Sequence, residues 1–197
     1  MPEDPRAKWD ARYRNADPAG VAPARVLTDF SHLLPERGDA LDLACGLGAN
    51  ARFLAQGGLQ VSAWDISTVA IQRLQAVTEG LPLHPSVRDV MNEPPPANRF
   101  DVIVVSRYLE RSLAPRLTAA LKPGGLLFYQ TYTRERVSEA GPGKAAFRLA
   151  PNELLRLFSD LRVVAYREEG RLGRLDEGFR DEAMLVALKP PDSPVGE

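Results

Sequence analysis

Leu41-Asp42-Leu43-Ala44-Cys45-Gly46-Leu47-Gly48-Ala49-Asn50-Ala51, followed shortly by Val61-Ser62-Ala63-Trp64-Asp65, is the stretch whose reading decides the fold. An apolar run that breaks into two glycines and then an alanine-rich helical pattern predicts a buried strand, a tight turn and a helix N-terminus. The glycines let backbone approach a ligand with no Cβ in the way. The new helix offers unpaired N–H groups, and an acid ending the next strand can accept from two ribose hydroxyls. Together these features predict a nucleotide cradle.

Downstream, residues 49–56 read as a helix ended by Gly57 and Gly58, and residues 60–65 as the second strand. Ser67 can cap a third helical pattern, with Ala70, Ile71, Leu74, Val77 and Leu81 on its apolar side. A weaker strand is expected over 83–90; Pro85 marks it as an edge, and Pro94-Pro95-Pro96 is a rigid connector. Phe100 to Ser106 is β-branched and almost wholly apolar, the pattern of a central parallel strand buried on both faces. A helix over 113–121 tolerates Pro115 in its first turn, and Lys122-Pro123-Gly124-Gly125 then launches a buried strand over 126–133. This alternation implies βαβ units in a mostly parallel α/β sheet with helices on both faces. Residues 134–150 form a polar excursion, 151–158 a helix, and 161–167 with 183–189 an antiparallel hairpin at the sheet edge.

Upstream, Val26, Leu27, Phe30, Leu33 and Leu34 pattern an amphipathic helix over 25–37 that stops at Pro35 and Gly38. Trp9 and Tyr13 stand four apart and can share one helix face, either pinning a terminal helix or forming an aromatic lid over the cradle. The expected organisation is an N-terminal helical cap or lid over 1–37, a catalytic domain over 38–189, and a disordered tail over 190–197.

The chain has 197 residues, is 44% hydrophobic and carries formal net charge -1, which suits one soluble domain. A sequence pI of about 6.2 and the lack of a basic stripe give no electrostatic case for a nucleic-acid partner. The charged start lacks an apolar leader and no apolar run approaches the roughly 18 residues of a membrane span, so a cytoplasmic protein without a membrane partner is expected. The single cysteine, Cys45, excludes an intramolecular disulfide, and no metal-ligand spacing occurs. Oligomeric state leaves no mark in the sequence.

Gly46, Gly48 and Ala51 satisfy G-x-G-x-x-G/A, so a dinucleotide reading stands on the pattern alone. Asp42 separates the alternatives: a carboxylate just before the turn would repel a pyrophosphate and attract a cation such as the sulfonium and ammonium of S-adenosylmethionine. The sequence from about residue 38 to 189 resembles the class I S-adenosylmethionine-dependent methyltransferases. Asp42-Leu-Ala-Cys-Gly46-Leu-Gly48 matches their first motif, Trp64-Asp65 their ribose-binding acid and Arg88-Asp89-Val90 their adenine contact. Phe100 to Ser106 and Lys122 to Gly125 fill the next two motifs. The resemblance implies a Rossmann-like seven-stranded sheet ending in an antiparallel hairpin, and cofactor contacts at Asp42, Ala44, Gly46, Gly48, Asn50, Asp65, Ile66, Asp89, Val90 and Ser106. It implies S-adenosylmethionine as cofactor and S-adenosylhomocysteine as product.

Asn50 in place of a third glycine resembles the tellurite-resistance and thiopurine methyltransferase-like branch, as do residues 147–155 and 170–176. Where tellurite-resistance members carry an acid and a His-Arg pair, this chain has Arg171, Gly173 and Arg174; the departure bears on a tellurite substrate and leaves cofactor binding untouched.

Methyl transfer from a sulfonium is an in-line displacement that asks the protein mainly for positioning. Thiols, chalcogen oxyanions and other soft nucleophiles need little more, which suits a chain whose histidines, His32 and His84, lie away from the expected acceptor side. Acceptor contacts should follow the fourth and fifth strands, which selects Arg107, Tyr108, Arg111, Tyr132 and Arg134, with Trp9 and Tyr13 as lid candidates. The expected activity is methyl transfer to a small molecule. An NAD(P)-dependent oxidoreductase and a non-catalytic S-adenosylmethionine-binding module are the competing readings.

Overall fold

The computed structural model describes residues 4–191. Among these residues seven strands form one sheet in the order β3-β2-β1-β4-β5-β7-β6. They are β1 (Asp39–Leu43), β2 (Gln60–Asp65), β3 (Leu83–Val87), β4 (Phe100–Ser106), β5 (Leu121–Tyr132), β6 (Arg162–Glu168) and β7 (Glu182–Leu188). The first five are mutually parallel and β7 runs antiparallel to both its neighbours. Among the described residues six α-helices accompany them: α1 (Pro5–Tyr13), α2 (Arg25–Asp29), α3 (Ala49–Gln56), α4 (Thr68–Gln75), α5 (Ala114–Ala120) and α6 (Glu153–Leu157).

Strand alternation divides the core into two layers. Leu41, Leu43, Ile103 and Val105 pack on one face with Leu117, Leu154 and Phe158. Ala40, Val61, Val102 and Val104 pack on the other with Val26, Leu27, Leu54, Ile71 and Leu74. Because β1 turns toward β2 and β3 while β4 begins again on its other side, the sheet reverses direction between β1 and β4. A crevice therefore opens beyond the carboxyl ends of those two strands, where open α/β sheets bind their ligands.

Strands β1, β2 and β4 and helix α3 lie where the residue pattern places them. Four segments differ. The helix expected over 25–37 stops at Asp29, with a 3₁₀ turn over Ser31–Leu33; the Thr28 and Ser31 hydroxyls donate to backbone carbonyls of 25 and 28 and compete with helix propagation. Helix α4 ends at Gln75, leaving Val77 42% exposed rather than inward, because Thr78 Oγ1 donates to the Gln75 carbonyl and Gly80 takes a left-handed conformation. Strand β3, an edge as expected, ends at Val87, and Asp89 closes a turn in place of the strand's continuation. Strand β5 begins at Leu121, not 126: Leu121 pairs Phe100 and Leu126 pairs Val102, so residues 122–125 bulge within the strand. Of the expected disordered tail, 192–197 lie outside the described residues.

Candidate functional site

Three alternate residues at the end of β1 adopt left-handed backbone: Ala44 (φ 56), Gly46 (φ 52) and Gly48 (φ 73). A Cβ on Gly46 would stand 2.7 Å from the Tyr13 hydroxyl, and one on Gly48 would collide with the Leu74 side chain. The left-handed φ favours glycine at both positions, and the Tyr13 and Leu74 side chains would have to shift to admit a Cβ. Ala44 carries the same backbone without a glycine's freedom, a strained conformation of the kind concentrated at ligand sites.

Asp65, at the end of β2, turns its carboxylate back onto this turn. Its Oδ2 accepts from Gly46 N–H and its Oδ1 from Ser67 N–H, both at 2.8 Å. Burial raises its pKa against the pull of those two bonds. Each carboxylate oxygen keeps a further lone-pair direction for a ligand hydroxyl.

Asp42 is completely buried. By strand parity it points with Ala40 toward α3, where Oδ2 accepts from Ala51 N–H at 3.0 Å and Oδ1 faces Asn50 Nδ2 at 3.5 Å. Burial, weakly offset by those bonds and reinforced by Asp65, pushes its carboxyl up to about 7. Asp42 thus acts on the crevice through its charge, from behind the turn. Asn50, 5% exposed, is a junction: Nδ2 donates to Ser106 Oγ at 2.9 Å and Oδ1 accepts from Ala24 N–H at 2.8 Å. The side chain that replaces a glycine in the motif joins β1, β4 and the start of α2.

Ile66 and Val90 are the apolar residues beyond β2 and β3, Ile66 half-buried and Val90 buried. Asp89 accepts from Met91 N–H at 3.0 Å and Asn92 Nδ2 at 2.7 Å, so its carboxylate builds the turn that presents Val90. Tyr108 lies across the crevice; burial first, then the charges of Glu110, Asp89 and Asp65, push its hydroxyl up to about 12. Helix α1 closes the opposite side. Asp10 accepts from Ser67 Oγ at 2.6 Å and Val69 N–H at 3.1 Å, capping α4 from outside, and Trp9 stacks on Tyr13 with ring centroids 5.8 Å apart. Tyr13 is brought to the cradle, with burial and the charge of Asp65 raising its pKa; Trp9 backs it.

A cavity of about 60 Å³ lies beside the turn, lined by Val21, Ala22 and Ala24 on one side and by Cys45, Asn50, Ser106 and Arg107 on the other. Burial drives the Cys45 thiol up, which makes it an inert wall. Of the acceptor candidates, Arg107 reaches this cavity. Arg111 does not: its guanidinium donates to Glu153 at 2.6 and 3.1 Å and to the carbonyls of Ala146 and Arg148 at 2.6 and 3.0 Å. Those bonds commit it to fastening the excursion. Tyr132 packs under Gly141 and the Arg148 guanidinium, and exposed Arg134 donates to the Ala145 carbonyl at 3.3 Å. His32 and His84 are exposed, and among the described residues no His, Cys, Asp and Glu group could hold a metal ion. Glu182 and Gln130, which border Arg107, carry no motif, and only the tertiary fold brings them here.

A family model described as "Methyltransferase domain" matches residues 12–170. The ubiquinone biosynthesis O-methyltransferase of Xanthomonas axonopodis pv. citri (strain 306) is 30% identical over 136 residues, 64% of this chain and 56% of that protein. The enzyme of the same name from Idiomarina loihiensis is 25% identical over 183 residues, 78% of this chain and 75% of that protein. The chain spans 56% of the length of the first two curated relatives it matches. Among solved structures, TehB from Haemophilus influenzae superposes with a TM-score of 0.69 at 21% identity, covering 93% of this chain and 66% of that one, which establishes likeness of fold. No helix among the described residues is long and apolar enough to cross a membrane.

Proposed function

The chain belongs to the methyltransferase-domain family, whose fold implies S-adenosylmethionine as cofactor, and we propose that it transfers a methyl group from that cofactor to a small molecule. The observation that carries this reading is the pair of buried carboxylates around the glycine turn. Asp42 and Asp65 lie on either side of Ala44 to Gly46 and form no ion pair with any described residue; burial raises the pKa of both, with Asp65 adding to the rise at Asp42 and Asp10 to that at Asp65. A bound cation would draw both groups into the carboxylate form, which suits this site to a cation and makes it hostile to a pyrophosphate.

Asp65 would take the ribose hydroxyls on its remaining lone pairs, while Ile66 and Val90 offer apolar walls for a base. Asn50 and Ser106 hold the walls of the adjoining cavity. The cofactor, when bound, supplies an activated methyl on a sulfonium. Of the cap expected over 1–37, helix α1 serves that part on this reading, with Tyr13 over the turn, while Val26 and Leu27 of α2 pack into the core.

The acceptor reading is a small molecule. The name of the Xanthomonas and Idiomarina relatives supports an oxygen nucleophile. The side chains here favour one that arrives deprotonated, because Tyr108 and Tyr13 hold their protons near neutral pH and both histidines stand at the surface. The test is an S-adenosylhomocysteine-release screen over phenols, thiols, selenite, tellurite, amines and carboxylates. At least one acceptor should raise release above background, and Asp65→Ala should abolish it. Cofactor binding with no active acceptor would leave a non-catalytic binding module.

A further inference from the structure

Gln130, in β5 and 2% exposed, makes three connections at the cavity edge. Its backbone carbonyl accepts from Arg107 N–H at 2.8 Å, its Oε1 accepts from Val26 N–H at 2.8 Å, and its Nε2 donates to Glu182 Oε2. Glu182, whose side chain is 11% exposed, in turn accepts from Arg107 Nε at 3.3 Å. Both the backbone and the side chain of Arg107 are thereby referenced to one buried residue. Arg107 itself stands at φ 54, a left-handed conformation for a long side chain, at the carboxyl end of β4.

What this leaves free is the planar end of the guanidinium. Among the described residues, neither Nη1 nor Nη2 of Arg107 donates to a protein acceptor, whereas Arg111 and Arg148 have theirs filled by carbonyls and a carboxylate. Arg107 also lines the cavity next to Asn50 and Ser106. The Arg107 side chain is 59% exposed, so the Glu182 contact at Nε orients the fork at the cavity mouth and leaves its two terminal nitrogens open for bidentate recognition of a carboxylate.

We propose that Arg107, positioned by Glu182 and Gln130, is the carboxylate-reading residue of this site. The inference rests on the cofactor reading above and names the chemistry that the cavity's cation recognises. Two sources can present a carboxylate there, the amino-acid end of the cofactor or the acceptor, and they are separable by experiment.

The test is calorimetric titration of the full chain with S-adenosylhomocysteine, with 5′-methylthioadenosine, which lacks the amino-acid end, and of the S-adenosylhomocysteine-loaded chain with benzoate against benzamide. If the cofactor's carboxylate is read, Arg107→Met weakens S-adenosylhomocysteine by about 10- to 100-fold and leaves 5′-methylthioadenosine unchanged. If an acceptor's carboxylate is read, both nucleosides bind as before and Arg107→Met loses benzoate binding that benzamide never shows. Arg107→Lys, which keeps the charge and loses the fork, should recover only part of either effect. Glu182→Gln should weaken the same carboxylate by about 3- to 10-fold with 5′-methylthioadenosine unmoved. Equal losses for both nucleosides would assign these residues a purely structural part and overturn the proposal, as would no change in any titration. A wild-type chain that binds neither nucleoside would remove the cofactor reading itself, a failure visible before any variant is made.

Discussion

The turn region at 39–67 and the excursion at 133–153 border the same carboxyl edge of one sheet, yet opposite means hold them. In the first, bonds are local: Asp42 reaches Ala51 and Asp65 reaches Gly46, nine and 19 residues apart, and left-handed backbone at 44, 46 and 48 sets the shape. In the second, arginines pin loop carbonyls. Arg148, 3% exposed, donates to Thr133 O at 2.9 Å, Pro142 O at 2.6 Å and Ala140 O, and Arg111 crosses 42 residues to Glu153. Asp181 takes Val137 N–H at 2.6 Å and Ser138 N–H at 3.1 Å. The glycine turn is shaped by its own backbone and two carboxyl groups, while the excursion is held by side chains, Arg148 from within it and Arg111 and Asp181 from across the fold.

Breaking the second region should cost stability and spare the first. Arg148→Ala strips three carbonyls of a buried donor and should cost about 3 kcal/mol or more in urea unfolding, with cofactor affinity changed less than about threefold. Breaking the first should do the reverse. Asp65→Asn removes the charge and turns an amide NH2 toward the Gly46 or Ser67 N–H, so it should weaken S-adenosylmethionine by about 2–3 kcal/mol in calorimetry and cost only about 1–2 kcal/mol in unfolding, less than Arg148→Ala. An equal loss of stability and affinity in both variants would erase the distinction.

A smaller effect follows from Asp42. Its folded pKa of about 7 lies above the unfolded value of 3.8, so between about pH 4 and 7 the folded chain holds a proton that the unfolded chain releases, and this group makes stability fall as pH rises through that window. Cofactor binding has the opposite sign. A nearby cation favours the carboxylate, so S-adenosylmethionine affinity should fall by up to about tenfold per pH unit below 7, and Asp42→Asn should flatten both profiles. Smallest of all, Arg174→Ala, at an exposed pair 2.8 Å from Glu177, should change unfolding free energy by less than about 0.5 kcal/mol.

How much of this was legible follows the same division. Strand β1, helix α3 and strand β2 are written in local pattern: an apolar run, two glycines, an alanine-rich segment and an acid. The direction of Asp42 was not, because only the pleat shows that it faces α3 rather than the crevice. Arg111 and Arg107 look alike in sequence, four residues apart in a polar stretch. The fold fastens one to Glu153 and leaves the other's terminal nitrogens open. Glu182 and Gln130 could not be found at all, since 52 residues separate them and neither belongs to a motif. Apolar spacing at 77 and 81 mimics a further turn of α4, which the Thr78 hydroxyl and Gly80 prevent.

On the proposed reading, two buried carboxyl groups with no ion-pair partner among the described residues suit the glycine turn to a cationic nucleoside. Side-by-side calorimetric titration of the full chain with S-adenosylmethionine and NADH at pH 7.5 tests it most directly. One S-adenosylmethionine should bind per chain with release of protons to the buffer, and NADH should give no heat of binding. Saturable NADH binding with none for S-adenosylmethionine would contradict it.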